Sequence, residues 1–148
     1  MTKIEKVLFT GKTHTSASRR DGAPRGDHGR LDIKLSSPGS HSEQLFAAVL
    51  PHPTAEQLFA GAWSACFTAA VGLVAKERKV VLPADLAVEI EVDLGQTAGA
   101  YFLQARINVS APGLEHEVAE ALANEAHEIC PYSKATKGNI DVSLNVTA

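Results

Sequence analysis

Cys66 and Cys130 are the only cysteines of the chain. A thiol can attack an electrophile, bind a metal or close a disulfide, and each role needs its own surroundings. Cys66 lies in the apolar run PTAEQLFAGAWSACFTAA (residues 53–70), which also carries one carboxylate, Glu56, ten residues upstream. Burial alone would raise the Cys66 pKa and leave the thiol inert, so a nucleophile here needs a cation beside it. The helix dipole cannot supply that help several turns into a helix. Cys130 stands at the end of a helical pattern, where the dipole disfavours a thiolate. It suits a resolving thiol, one that closes a bridge to an oxidised partner. Spacing leaves open whether the two meet, since a bridge requires Cα atoms within about 7 Å.

Positioning falls to elements with clear periodicity. Residues 4–15 and 31–36 read as strands, and the Gly- and Arg-rich SASRRDGAPRGDHGR joins them. In LAVEIEVDL, Leu86, Val88, Ile90, Val92 and Leu94 share a face opposite Glu89, Glu91 and Asp93. In YFLQARINV the apolar face is Tyr101, Leu103, Ile107 and Val109; in NIDVSLNV it is Ile140, Val142, Leu144 and Val146. One wet and one dry face predicts antiparallel pairing. A long helix starts at Thr54, whose spacing to Gln57 fits a capping box, and runs to about Arg78. A second helix follows Pro112-Gly113 and ends near Ile129, with Val118, Leu122, Ala126 and Ile129 as its stripe and Pro131 as its stop. This order predicts one α+β domain spanning residues 1–148.

Composition narrows the function classes. With 148 residues and a net charge of −3, the chain can bury a core but lacks the basic footprint of a nucleic-acid binder. The apolar stretch 58–75 has the length of a membrane span, yet Ser64, Thr68 and the flanking KERK favour a buried central helix, so no membrane association is expected. MTKIEKVLFT lacks an apolar signal core, which points to the cytoplasm, where thiols stay reduced. His14, His28, His41, His52, His116 and His127 show no metal-ligand spacing and read as surface residues. None is placed as the base of a cysteine hydrolase.

EQLF-x5-SACF, followed by ICPYSKATKGNIDV, resembles the organic hydroperoxide resistance (Ohr) branch of the OsmC-like proteins. RRDG and GRLDIKLSSP upstream resemble that family's arginine loop and second strand, so the likeness covers essentially the whole chain. The resemblance implies antiparallel sheets around two long central helices in an intertwined homodimer. It implies that Cys66 is the peroxidatic thiol and Cys130 the resolving one. Arg20 would hold Cys66 as thiolate, and Glu56 would pair with that arginine. No bound cofactor is implied; an external dithiol, a dihydrolipoyl group on a lipoylated carrier protein, would be the reductant. The substrates would be organic hydroperoxides, including fatty-acyl ones, and the role antioxidant.

Particular residues qualify the likeness. Arg19 stands beside Arg20 where the family commonly has glycine, so it is a rival cation. Trp63 occupies a typical tyrosine position, and Lys137 a usual arginine. EQLFA occurs twice, at Glu43–Ala47 and Glu56–Ala60, and the second copy has the capped helix start and the family spacing. Leu58, Phe59, Trp63 and Phe67 are either core or an apolar wall suited to a hydrocarbon tail. On a straight helix ten residues span about 15 Å. One arginine therefore cannot readily reach both Glu56 and Cys66 of one chain, and a partner subunit is expected to contribute at least one of the three groups. The alternative function is a noncatalytic module of the same fold that binds apolar ligands or senses oxidants.

Overall fold

The computed structural model describes residues 4–16 and 54–148. The strand expected over 31–36, the arginine loop with Arg19 and Arg20, and the first EQLFA copy with Glu43 lie outside the described residues. Within them the order is β1 (Lys6–Ser16), α1 (Ala55–Arg78), β2 (Ala87–Thr97), β3 (Ala100–Ser110), α2 (His116–Ile129), α3 (Pro131–Thr136) and β4 (Asp141–Thr147).

Helix α1 begins where its capping box was expected. The Thr54 hydroxyl accepts from the Gln57 amide at 3.1 Å, and the Gln57 side chain accepts from the Thr54 amide at 2.9 Å. These reciprocal bonds satisfy amides that the first helical turn leaves without partners. The helix stops at Lys79, which adopts a left-handed conformation (φ 57°) and donates its amide back to the last turn.

The strands form one sheet in the order β1-β2-β3-β4. β1/β2 and β2/β3 are antiparallel, whereas β3/β4 is parallel. The antiparallel expectation therefore fails at β4. A parallel neighbour needs a crossover, and α2 with α3 supplies it. Between β2 and β3 the turn is only Ala98-Gly99, both at positive φ (48° and 84°), as a tight hairpin matched to strand twist requires.

The dry face is as the alternation predicts. Leu86, Val88, Ile90, Val92, Ile107 and Val109 are buried in a core shared with α1 and α2. Each such side chain contributes on the order of 1.5–3 kcal/mol relative to exposure. One expected core position of β3 is exposed instead: Tyr101, beside the hairpin turn, whereas Ala105 in the middle of the strand is buried. On α2 the stripe is Ala119, Leu122, Ala123 and Ala126, rotated so that Val118 faces outward.

The wet face holds one surprise. Asp93, expected to be solvated, is 1 % exposed. Arg106 covers it with a forked pair of bonds, at 2.6 Å and 2.9 Å, while Thr10 and Gln104 also donate to it. Arg106 reaches Glu91 as well, at 2.6 Å, and Lys12 bridges Glu91 and Glu89. Burial works to raise the Asp93 carboxyl, but its three donors together outweigh burial and hold it below the usual range. The Arg106 bond, helped by Lys12, does the same for Glu91. These contacts join β1, β2 and β3 side chain to side chain, across the register that their backbones set.

Both carboxyls have folded pKa values below their unfolded ones. Their stabilisation is therefore complete above pH ~4 and is lost as pH falls through the lower folded values. Replacing Arg106 with Met should lower the unfolding free energy by roughly 2–4 kcal/mol at pH 7, because a buried carboxylate loses its counter-charge. The difference from wild type should shrink towards pH 3. Chemical denaturation at both pH values measures it; a pH-independent difference would contradict this role.

Candidate active site

The site is built along the N-terminal half of α1, from Glu56 to Cys66, and at the junction between α2 and α3. Pro131 makes that junction. It disfavours helical geometry in the residue before it, and Cys130 accordingly has an extended conformation (φ −59°, ψ 122°). Pro131 then occupies the first turn of α3, so it is a start as well as the expected stop. The Cys130 amide bonds Ala126 at 2.8 Å and its carbonyl accepts from Lys134 at 3.0 Å, which ties this corner to both helices. Reading Pro131 only as a terminator missed α3; proline at a first helical position was the available signal.

This corner brings Cys130 against Cys66. The Cys130 thiol donates to Cys66 Sγ at 3.4 Å, and both thiols are free. Cys130 is completely buried, whereas Cys66 keeps part of its surface open. The accessible side of Cys66 is thus the side away from Cys130. Burial is the largest influence on Cys66 and pushes its thiol up; the Tyr132 amide, hydrogen-bonded to the sulfur, pulls it down, and the Cys130 thiol pushes it up again. The net shift is upward. Among the described residues no cationic side chain contributes to its balance. As it stands, the thiol has an attacker's position without an attacker's charge.

Glu56 shows the complementary deficit. It is 7 % exposed in the first turn of α1, and its Oε2 is buried with no hydrogen-bond partner among the described residues. A buried carboxylate oxygen calls for a donor, so Glu56 is a socket for a cation or N–H group. Arg20, the residue assigned to it by resemblance, is outside the described residues, so Cys66, Cys130 and Glu56 are the site residues whose positions are defined.

The apolar residues divide. Trp63 and Phe67 are completely buried and belong to the core, while Leu58 and Phe59 are half-buried, Phe59 lying against Trp63 with ring centroids 5.6 Å apart. The sequence did not reveal that the Trp63 indole N–H donates to Ser133 Oγ at 3.1 Å, a wholly buried bond between α1 and α3. His127 is not the surface residue expected. It is half-buried, its ring centroid lies 6.3 Å from that of Phe67, and burial keeps its imidazole below the usual pKa. Among the described residues no group of three or more His, Cys, Asp or Glu side chains could hold a metal.

Helix α1 is long and apolar enough to cross a membrane, but it packs on the sheet and α2 through nine buried residues. Only 44 % of its most apolar stretch is buried, which leaves a second face uncovered. Ala62, Ala65, Ala69 and Leu73 are exposed along it, at helical spacing.

Residues 48–145 match the family model for OsmC-like proteins. The chain is 36 % identical, over 99 % of both sequences, to an organic hydroperoxide resistance protein of Xanthomonas axonopodis pv. citri. It is 34 % identical to the protein OhrB of Bacillus subtilis, over 95 % of this chain and 98 % of that one. Among solved structures it resembles an organic hydroperoxide resistance protein from Elizabethkingia anophelis, with a TM-score of 0.68 and 30 % identity, covering 97 % of this chain and 99 % of the other. The paired thiols, the fold that joins them and these likenesses agree: the chain belongs to the OsmC/Ohr family, on its organic hydroperoxide resistance branch.

Proposed function

We propose that the protein is a thiol peroxidase that reduces organic hydroperoxides to alcohols. The observation that carries this reading is the 3.4 Å approach of a part-exposed sulfur to a buried one. A metal site or an inert core needs no such pair. The Cys66 thiolate attacks the outer oxygen of ROOH, the O–O bond breaks, and the departing alkoxide takes a proton to become ROH. The sulfenic acid left on Cys66 faces Cys130 from behind. Attack by the Cys130 sulfur forms the disulfide and expels the oxygen as water. An external dithiol, a dihydrolipoyl group on a carrier protein by resemblance, then reopens the bridge by exchange and leaves as its own disulfide. Two electrons thus pass from dithiol to peroxide. The reaction belongs in the cytoplasm, where such thiols are kept reduced.

The missing positive charge is assigned to Arg20. One guanidinium would neutralise Glu56 and hold Cys66 ionised, and the uncovered face of α1 supports a second copy of the chain as the source of at least one of these groups. In that arrangement Ala62, Ala65, Ala69 and Leu73 are covered by the partner, as small residues at a close helix contact would be. Half-buried Leu58 and Phe59 favour a hydrocarbon R group over hydrogen peroxide.

Intact mass after one equivalent of cumene hydroperoxide should show loss of two hydrogens in the wild type, gain of one oxygen in Cys130→Ser and no change in Cys66→Ser. Steady turnover with dihydrolipoamide separates an enzyme from an oxidant sensor, which would react once. Comparable rates with hydrogen peroxide would count against the proposed preference.

Charge replacement gives a second test. Arg20→Ala should shift Cys66 ionisation above the ordinary cysteine value of ~8.5, so that alkylation at pH 7 slows roughly tenfold or more and recovers as pH rises. Arg19→Ala should leave it near wild type; the reverse ranking would transfer the role to Arg19. Glu56→Gln should depress turnover, whereas Glu43→Gln should not.

A further inference from the structure

Trp63 is the only tryptophan of the chain, and its bond to Ser133 lies beside the reacting sulfurs without including them. Trp63 is one turn before Cys66 on α1, and Ser133 is three residues after Cys130 on α3. Both residues are dry, at 0 % and 2 % exposure. Two other contacts join these segments at the same place: the Tyr132 amide to Cys66 and the Cys130 thiol to Cys66. Both end on Cys66 Sγ, so both change when that sulfur is oxidised. The indole–hydroxyl bond has no atom that takes part in the chemistry, and it can persist from the dithiol through the sulfenic acid to the disulfide. A tryptophan is long enough to span from α1 to the first turn of α3, and the serine hydroxyl is a suitable acceptor in a buried contact.

We propose that the Trp63–Ser133 hydrogen bond is a positioning clamp that keeps α3 against α1, so that Cys130 captures the oxidised Cys66 before a second peroxide does. This rests on the peroxidase reading. Starting at 3.4 Å, the sulfurs have to close by only about 1.4 Å to reach bonding distance. The sulfenic acid has two fates. Cys130 can displace its oxygen as water and form the disulfide, or another ROOH can transfer an oxygen, release ROH and leave a sulfinic acid, which a dithiol does not reverse. The first rate depends on how closely Cys130 is held, the second only on peroxide concentration. The clamp therefore sets the concentration at which the protein inactivates itself.

The test compares wild type with Trp63→Phe, Ser133→Ala and Ser133→Thr, each checked for folding by circular dichroism. Increasing tert-butyl hydroperoxide is added to the reduced proteins, and the ratio of disulfide to sulfinic acid is read by intact mass. Ser133→Ala and Trp63→Phe should each lower that ratio by about five- to tenfold, the factor expected for one lost hydrogen bond. The double variant should be no worse than either single one, since they remove the same interaction. Ser133→Thr, which keeps the hydroxyl, should restore the ratio. An unchanged ratio in both single variants, or no rescue by threonine, would overturn the clamp. Diamide, which oxidises dithiols to disulfides without a sulfenic acid, tests the clamp separately from the peroxidase reading. Slower Cys66–Cys130 bridging in the two single variants supports it even if hydroperoxide proves unreactive, and equal bridging overturns it.

Discussion

A sulfur can carry negative charge beside hydrocarbon only if donors or cations replace the water it has lost. That constraint governs this site. In the proposed reaction Cys66 receives an organic molecule among apolar surroundings, and those surroundings push its thiol towards the neutral, unreactive form. The Tyr132 amide offsets part of the effect and the neighbouring Cys130 thiol adds to it. Glu56, at the other end of the apolar run, has the opposite need, a buried oxygen without a donor. One guanidinium would answer both requirements, which is the role proposed for Arg20.

The fold serves this problem by separating rigid parts from reacting ones. The sheet is dry on one side and strongly cross-linked on the other, where Arg106 joins Asp93 to Glu91 and Lys12 extends the chain of charges to Glu89. On that base α1 lies as a long rod, and α2 and α3 return across it to place Cys130. The corner at Cys130 is sharp because proline follows, and it is held because its amide and carbonyl are both used. Neither sulfur is on a loose loop. The two sulfurs stand 3.4 Å apart, so the proposed bridge asks for only a small motion of α3, and the exposed stripe leaves α1 a second, uncovered face.

Local patterns were legible wherever one residue type implies one conformation. Thr54 with Gln57 announced the start of α1, and alternation identified the dry faces of β2 and β3. The sequence motifs also singled out Cys66, Cys130 and Glu56, three residues whose burial or contacts are unusual. Where several outcomes satisfy the same pattern, the reading failed. Strand alternation does not distinguish a parallel neighbour from an antiparallel one, so β4 was paired in the wrong sense. Asp93 looked solvated because alternation says which face a residue is on, and nothing about what lies over it. His127 looked superficial for the same reason.

By itself, then, the amino-acid sequence determined the two longer helices, the four described strands, their apolar faces and the family, because each is written in residue types at short range or in motifs that survive as strings. Tertiary structure decided that two cysteines 64 residues apart stand 3.4 Å from each other. It also decided that an indole and a hydroxyl from different helices share a dry hydrogen bond beside them, and that an aspartate on the wet face is buried. Those outcomes depend on how far apart whole elements sit once their apolar faces are packed, and packing distances are a property of the assembled core, which no local stretch of chain contains.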